Sequence, residues 1–299
     1  MTQKSNSFTA EVSLDIAKKL EHDLIEQGFE ISHPPYTIFS AKKKGVSCSL
    51  YQSGKLLVQG KEMSQFIEFY LEPEILGQFH FSHPEAHLDV KPRIGMDEAG
   101  KGDFFGPLCV AALFANEEGI KFLRKLGVKD SKKMKDDQIR KIASEIKTHF
   151  QHTIVRLFPK TYNSLYVKFK NLNRLLAWAH TTALGELSHK TGCKDAILDQ
   201  FAYPELMEKM LKEKKLEVAL LQRTKGESDL VVAGASILAR AAFVEGIELL
   251  EKEWECVLPK GASRLVVEAG KKLFRQFDSE FFTQVAKTHF KTMEEIANN

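Results

Sequence analysis

The sequence predicts an α/β protein in two parts, a small α+β unit followed by a larger α/β layer, and three observations lead there. At 299 residues the chain has the length of about two domains. From residue 94 onward short apolar runs alternate with longer stretches of helical periodicity, which is the signature of an α/β layer. Between the two parts, residues 83–93 (HPEAHLDVKPR) combine two prolines with mixed charge. This predicts a linker, with domains at 1–82 and 94–299.

Within residues 11–29, Val12, Ile16, Leu20, Leu24 and Ile25 share one face at helical spacing and Gly28 follows as a C-cap, so an amphipathic helix is expected. From Tyr36 the pattern turns to period two. Cys48 and Leu50, a Ser53-Gly54 turn, then Leu56 and Val58 predict a hairpin with one polar, basic face. Met63, Phe66, Ile67 and Tyr70 return to helical spacing over 61–70 and complete a helix–sheet–helix unit. Beyond the linker, strands are expected at 94–96, 108–114, 152–157, 196–198 and 218–221. Helices are expected at 136–150, 172–189, 204–214 and 230–254.

Composition narrows the function classes. Apolar residues make up 43% and charged residues 28%, an ordinary globular balance. The longest charge-free apolar stretch, residues 104–116, is short of the ~18 residues that suggest a membrane span, so a soluble protein is expected. The start MTQKSNSFTAEVSLD has no apolar core of a signal peptide, which predicts a cytoplasmic location. Cys48, Cys109, Cys193 and Cys256 are far apart with no CxxC pair, which fits reduced thiols better than disulfides or zinc. The net charge of +3 is unevenly spread: residues 1–85 hold 8 Lys against 11 Asp or Glu, and the excess of base lies beyond them. Inside that acidic part, residues 31–60 contain no acid but carry Lys42, Lys43, Lys44 and Lys55, a basic strip whose bland alternative is a solvated face. A monomer is expected.

Asp97-Glu98 follows the apolar Ile94-Gly95-Met96 and opens the glycine-rich AGKGDFFGP. Adjacent carboxylates at the end of a buried strand repel each other and lose hydration, which a hard divalent cation compensates. Asp199 follows Ala196-Ile197-Leu198 in the same way, at the strand end where open α/β sheets place ligands. KGESD (225–229) precedes the helix near Leu230; Asp229 reads as its N-cap, which leaves Glu227 free. Four converging carboxylates would suit two Mg²⁺ ions and in-line phosphoryl displacement.

Two decoys fall away on physical grounds. GMDEAGK (95–101) matches the first seven positions of a P-loop, but Gly102 stands where the Mg²⁺-binding hydroxyl belongs and two acids would repel the phosphates. His80, His83 and His87 are interrupted by Pro84 and read as incidental linker histidines rather than a metal site. DSKKMK (130–135) places a hydroxyl and three lysines before a helix; it reads equally as a phosphate-backbone contact or a solvated helix start.

MDEAGKGDFFGPL (96–108), DSKK (130–133) and AGASILAR (233–240) resemble the type 2 ribonucleases H in order and spacing, over essentially the whole catalytic part. Gly-Lys-Gly at 100–102, YNSLYVKFKNLNRLLAWAH (162–180) and the separate N-terminal module, from Ser53-Gly54-Lys55 through Gly60-Lys61, look like the ribonuclease HIII subfamily. The resemblance implies a ribonuclease H-like mixed sheet flanked by helices behind a small α+β domain similar to the TATA-binding-protein fold. It also implies an endonuclease that hydrolyses the RNA strand of RNA–DNA hybrids by a two-metal-ion mechanism with Mg²⁺ or Mn²⁺, leaving 5′-phosphate and 3′-hydroxyl ends.

Carried over residue by residue, Asp97, Glu98 and Asp199 match the first three acids of that family, and Glu227, two after Lys225, the fourth. Most type 2 members have Asp there, while ribonuclease HIII members are similar in using Glu. The segment from Lys225 to Ser236 is one residue shorter than the ribonuclease HII pattern, so Asp229 stays an alternative. Gly100, Lys101 and Gly102 would approach the sugar-phosphate and read the 2′-hydroxyl. Ser131, Lys132, Lys133, Lys43 and Lys55 would contact substrate. The runner-up readings are a non-catalytic hybrid- or duplex-binding protein, for which the basic hairpin suffices, and a DNA-strand nuclease of related fold.

Overall fold

The computed structural model describes residues 7–77, 88–128, 131 and 134–298. The chain divides into two compact units, Met1–Asp89 and Val90–Asn299. In the first, strands Ser7–Glu11 (β1), Glu30–Ser32 (β2), Thr37–Lys43 (β3), Val46–Tyr51 (β4) and Lys55–Gln59 (β5) form an antiparallel sheet in the order β1-β5-β4-β3-β2. Side chains alternate faces along a strand and directly paired residues share one. The pairs Ala41↔Cys48, Cys48↔Val58 and Leu50↔Leu56 therefore make one apolar face. Leu20 and Leu24 of the helix Ala17–Glu26 (α1) cover it, together with Met63, Phe66, Ile67 and Leu71. The latter lie on Met63–Phe66 (α2), which continues as a wider π-helical stretch, Ile67–Leu76, containing Pro73.

The expected helix over 11–29 is shorter because its first residues are used elsewhere. Glu11 pairs with Lys55 in the sheet, and Ser13 caps a single 3₁₀ turn before α1. The uncovered face of the sheet is polar, with Lys42 opposite Ser47, Ser47 opposite Gln59 and Lys55 opposite Glu11. Lys43 does not belong to that face. It is paired with Val46 on the helix-covered side, donates to the Gln27 carbonyl at 2.8 Å, and stands 5.8 Å from the Phe29 ring centroid.

In the second unit, Arg93–Ala99 (β6), Leu108–Ala115 (β7), His152–Leu157 (β8), Asp195–Asp199 (β9) and Ala219–Arg223 (β10) form a mixed sheet in the order β10-β9-β6-β7-β8. β7 is antiparallel to β6 and β8, whereas β9 is parallel to both β6 and β10. Glu117–Lys125 (α3), Asp136–His149 (α4), Pro159–Phe169 (α5), Leu172–Thr191 (α6), Pro204–Glu213 (α7), Leu230–Trp254 (α8), Arg264–Phe274 (α9), Ser279–Val285 (α10) and Lys291–Ala297 (α11) surround it. Ile94, Met96, Val110 and Ala112 pack with Leu175, Leu176, Ala179 and Leu184 of α6 on one face. The other face carries α8. That helix is long and apolar enough to cross a membrane by length and composition, but it is mostly buried inside the protein and is a core helix.

Gly95 sets how closely α8 approaches the sheet. A Cβ there would lie 2.3 Å from the Val231 carbonyl carbon and 2.4 Å from Val232 N, so only glycine lets the start of α8 rest on β6. The strand expected at 94–96 runs on to Ala99, with Asp97 opposite Ala111 and Glu98 opposite Val110. The acids thus sit within the strand rather than beyond it. Arg93, the end of the expected linker, is already sheet, and His80, His83 and His87 lie outside the described residues.

Candidate active site

β6 and β9 run parallel side by side, so Asp97, Glu98 and Asp199 come to the same end of the sheet. Asp97 is 8% exposed and points to the α8 side. Its Oδ1 accepts the Glu98 amide at 2.8 Å and its carboxylate is also hydrogen-bonded by the Ser236 side chain. Burial, with the like charges of Glu98 and Asp199, pushes the Asp97 carboxyl up to about 7. Glu98 behaves oppositely. Burial works to raise it, but His180 and Lys101 outweigh that and hold it below the ordinary carboxylate range. His180 Nε2 lies 3.1 Å from Glu98 Oε2, and Lys101 Nζ lies 3.6 Å from Oε1.

Asp199 ends β9 and its Oδ1 accepts the Gly226 amide at 2.8 Å. A Cβ on Gly226 would lie 2.8 Å from Asp199 Cα, so glycine at this place lets the turn Gly226–Ser228 lie against Asp199. Glu227 is carried on that turn, half-buried, beside the cleft rather than in its lining. Asp229 has a different occupation. Its Oδ1 accepts the amides of Val231 at 2.8 Å and Val232 at 3.2 Å as the N-cap of α8, while Oδ2 takes Arg93 Nη2 at 2.7 Å and Nε at 2.9 Å.

The acids open on a cleft of about 380 Å³ whose other walls include residues 99–103, Ser131, Phe201, Ser236 and Arg240. Gly100 (φ +86) turns the chain out of β6, where a Cβ would lie 2.2 Å from the Pro107 carbonyl oxygen. A Cβ on Gly102 would meet nothing within 4 Å, so the space over that residue is open to an approaching backbone. Ser131 Oγ is 2.7 Å from Ser236 Oγ, which joins the 130–133 motif to the residue that touches Asp97. Lys132 and Lys133 lie outside the described residues.

The loop after Gly102 is laced from behind. Lys287 is fully buried, and its Nζ donates to the carbonyls of Gly106 at 2.6 Å and Asp103 at 2.8 Å, while its amide donates to Phe104 O at 2.8 Å. On α5, Asn163 Nδ2 donates to the Ala286 carbonyl at 2.9 Å and to that of Thr283 at 3.1 Å, which holds the segment bearing Lys287. From another side Asp103 Oδ1 accepts the Gly261 amide at 2.6 Å.

His180, which meets Glu98 behind the cleft, and Arg240 in its wall differ in how far the sequence gives them away. His180 falls at core spacing on α6 and reads there as one more buried position. Arg240, in contrast, leaves a usable signal: it is four residues after Ser236 on α8 and both line the cleft. Among the described residues no three His, Cys, Asp or Glu side chains gather into a closed metal cage. The reason is local, since Glu98 is turned to His180 and Lys101, and Asp199 Oδ1 to Gly226 N. The donor set still fits a hard divalent cation. Oxygen ligands are what Mg²⁺ and Mn²⁺ take, and both the lost hydration that chiefly raises Asp97 and the like charges that add to it are compensated by such an ion.

The chain is similar to known proteins in sequence and fold. Residues 94–293 match the family described as ribonuclease HII, and residues 7–80 match a domain described only as of unknown function. The chain is similar to the ribonuclease HIII of Protochlamydia amoebophila, 51% identical over 97% of this chain and 96% of that one. It is likewise similar to that of Chlamydia pneumoniae, 45% identical over 97% and 98%. Among solved structures it resembles Bst-RNase HIII in complex with Mn²⁺ (TM-score 0.69, 27% identity, 98% of both chains). It also resembles Aquifex aeolicus RNase H3 (TM-score 0.56, 26% identity, 94% and 99%).

Proposed function

The chain belongs to the ribonuclease HII family, with relatives over nearly its full length that are ribonucleases HIII, and from this premise we propose which of its residues do the work. It is an endoribonuclease that hydrolyses the RNA strand of RNA–DNA hybrids and uses Mg²⁺ or Mn²⁺. The assignment of Asp97, Glu98, Asp199 and Glu227 as the ligand set of a two-metal site rests on one observation: an Asp97 raised to about 7 by burial, with the like charges of Glu98 and Asp199 adding to it, at the joint end of two parallel strands. A protein that only binds hybrids has no use for so unfavourable a carboxylate.

Asp97, Glu98, Asp199 and Glu227 would hold the divalent cations, which would supply a polarised water for in-line attack and charge neutralisation at the leaving 3′-oxygen, consistent with 5′-phosphate and 3′-hydroxyl ends. The chain's own residues do the rest. Asp97 is held by the Glu98 amide and Ser236, and Asp199 by the Gly226 amide, so neither carboxylate has to be ordered at the moment of reaction. Glu227 stands beside the site on a turn packed against Asp199, and we assign it as the fourth acid from that place. Asp229 we assign to the N-cap and the Arg93 ion pair.

Gly100, Lys101 and Gly102 approach the scissile ribose, with the open space over Gly102 as support, and their amides read the 2′-hydroxyl. Ser131 with Lys132 and Lys133 takes the adjacent backbone, and Arg240 adds a guanidinium at the same wall. The first unit binds the hybrid through the polar sheet face of Lys42 and Lys55; Lys43, on the other side, does not join it. A cytoplasmic location agrees with four free cysteines.

The test is cleavage of matched DNA–DNA, RNA–RNA and RNA–DNA duplexes with Mg²⁺, Mn²⁺ or chelator. RNA-strand cleavage of the hybrid alone, abolished by chelator and by Asp97→Asn, is the expected result. Metal-independent cleavage or cutting of the DNA strand overturns the site assignment.

A further inference from the structure

Glu98 differs from its neighbours in being gripped on both oxygens by cationic or imidazole groups, and the two grips are of different kinds. Lys101 holds Oε1 from the surface, 36% exposed and at 3.6 Å. His180 holds Oε2 from the interior, 0% exposed and at 3.1 Å. The His180 ring lies 5.0 Å from that of Phe201, at 11° to it, and Phe201 stands two residues after Asp199 in the loop leaving β9. Lys101 Nζ is in turn 5.5 Å from the Phe201 centroid. Residues from the loop after β6, from α6 and from the loop after β9 therefore close around one carboxylate.

His180 Nδ1 is buried with no hydrogen-bond partner. A ring hydrogen there would be buried unpaired, which is costly, so the ring carries its hydrogen on Nε2 and donates it to Glu98. A glutamate beside Asp97 and Asp199 would otherwise turn away from them toward water, because like charges repel and its side chain has three rotatable bonds. We propose that His180, stacked on Phe201, is a positioning residue that fixes Glu98 Oε2 and thereby leaves Oε1, covered only by the exchangeable Lys101, as the oxygen offered to a divalent cation. This rests on the reading of Glu98 as a ligand. It assigns Phe201 the task of holding the imidazole plane, and it ties the Asp199 loop to the Glu98 carboxylate.

The experiment is Mn²⁺ binding to the full-length protein without substrate, by calorimetry, alongside kcat and KM for hybrid cleavage and a melting curve. His180→Ala should weaken Mn²⁺ binding about tenfold, the scale typical of groups that orient metal ligands, and raise the Mn²⁺ needed for half-maximal rate. KM for the hybrid at saturating Mn²⁺ should stay within twofold of the parent. His180→Gln, whose amide also donates, should recover most of the Mn²⁺ affinity. Unchanged Mn²⁺ affinity in a folded His180→Ala overturns the proposal.

Should His180→Ala fail to fold, Phe201→Ala carries the test, with weaker Mn²⁺ binding expected and unchanged binding overturning it. Glu98→Gln separates the two levels of the argument. If it alone weakens Mn²⁺ binding while the His180 and Phe201 variants do not, the positioning role fails and the ligand reading stands; if it leaves Mn²⁺ binding intact, the ligand reading fails and takes this one with it.

Discussion

Arg93 Nη2 lies 2.7 Å from Asp229 Oδ2, an almost wholly buried ion pair between the first residue of β6 and the N-cap of α8. The contact ties the strand that carries Asp97 and Glu98 to the helix that carries Ser236 and Arg240. Both oxygens of Asp229 are engaged by the fold, which supports reading it as the cap of α8 and Glu227 as the fourth acid.

Asp229→Ala is therefore expected to melt lower while still cutting. Loss of an N-cap alone costs ~0.5–2 kcal/mol, and stripping a buried guanidinium of its carboxylate adds up to ~3–5 kcal/mol. Glu227→Gln should keep the parent melting temperature and lose cleavage. Thermal denaturation and single-turnover rates on one hybrid check both, and exchanged phenotypes would make Asp229 the fourth ligand.

Asp97→Asn should abolish cleavage and leave hybrid affinity equal or higher, since it removes a ligand and a negative charge together. Retention of more than about a tenth of the rate would contradict a role worth several kcal/mol.

The same substitution has a pH signature. Asp97 ionises near 3.8 when unfolded and at about 7 when folded. The metal-free fold therefore loses stability as pH climbs between those values, by an amount on the order of a few kcal/mol, and keeps that deficit above them. Asp97→Asn should raise the melting temperature of the metal-free protein at pH 8 and leave it unchanged at pH 3. Mn²⁺ should stabilise the parent at pH 8 more than the variant. Calorimetry at the two pH values, with and without Mn²⁺, reads all of this.

For the first unit, Lys42→Ala with Lys55→Ala should weaken hybrid binding and flatten its salt dependence by about one unit of slope per lost phosphate contact. Lys43→Ala should do neither, because Lys43 is occupied by Gln27 and Phe29 on the covered side. Deleting residues 1–85 should weaken binding, flatten its salt slope further and move the loss of activity to lower salt, while leaving a folded nuclease. Filter-binding isotherms at several salt concentrations decide the matter.

Gly95→Ala places a methyl 2.3 Å from the Val231 backbone. Overpacking of this kind costs ~1–3 kcal/mol, and here it pushes the start of α8 and the turn bearing Glu227 away from β6. A lower melting temperature together with a lower kcat is expected. A lower melting temperature with unchanged kcat would mean that the spacing between α8 and β6 is irrelevant to chemistry.

Asp97, Glu98 and Asp199 were legible because a charge directly after a buried apolar run has few structural uses. The α/β layer was legible from the alternation of apolar runs with helical spacing, and its mixed sheet from the family resemblance. β1 and β2 were not, being short and polar on alternate positions, with burial supplied by neighbouring strands rather than by their own residues. α3 and α9 to α11 also lay outside that reading. His180 was hidden for a different reason, since a histidine inside an apolar helical face is the same letter whether it meets a carboxylate or a leucine, and only the third dimension tells them apart.

The grip of Lys287 on the loop after Gly102 has a consequence for the order in which the protein is made. Gly106 and Lys287 are separated by 181 positions in the chain. During synthesis the glycine-rich loop leaves the ribosome early, while the ammonium that pins its carbonyls arrives only when nearly the whole second unit has been translated. N-terminal parts begin folding first, so β6 and β7 can pair while this loop still lacks its anchor. The nascent chain thus carries Asp97 and Glu98 long before it carries the brace behind the loop that follows them.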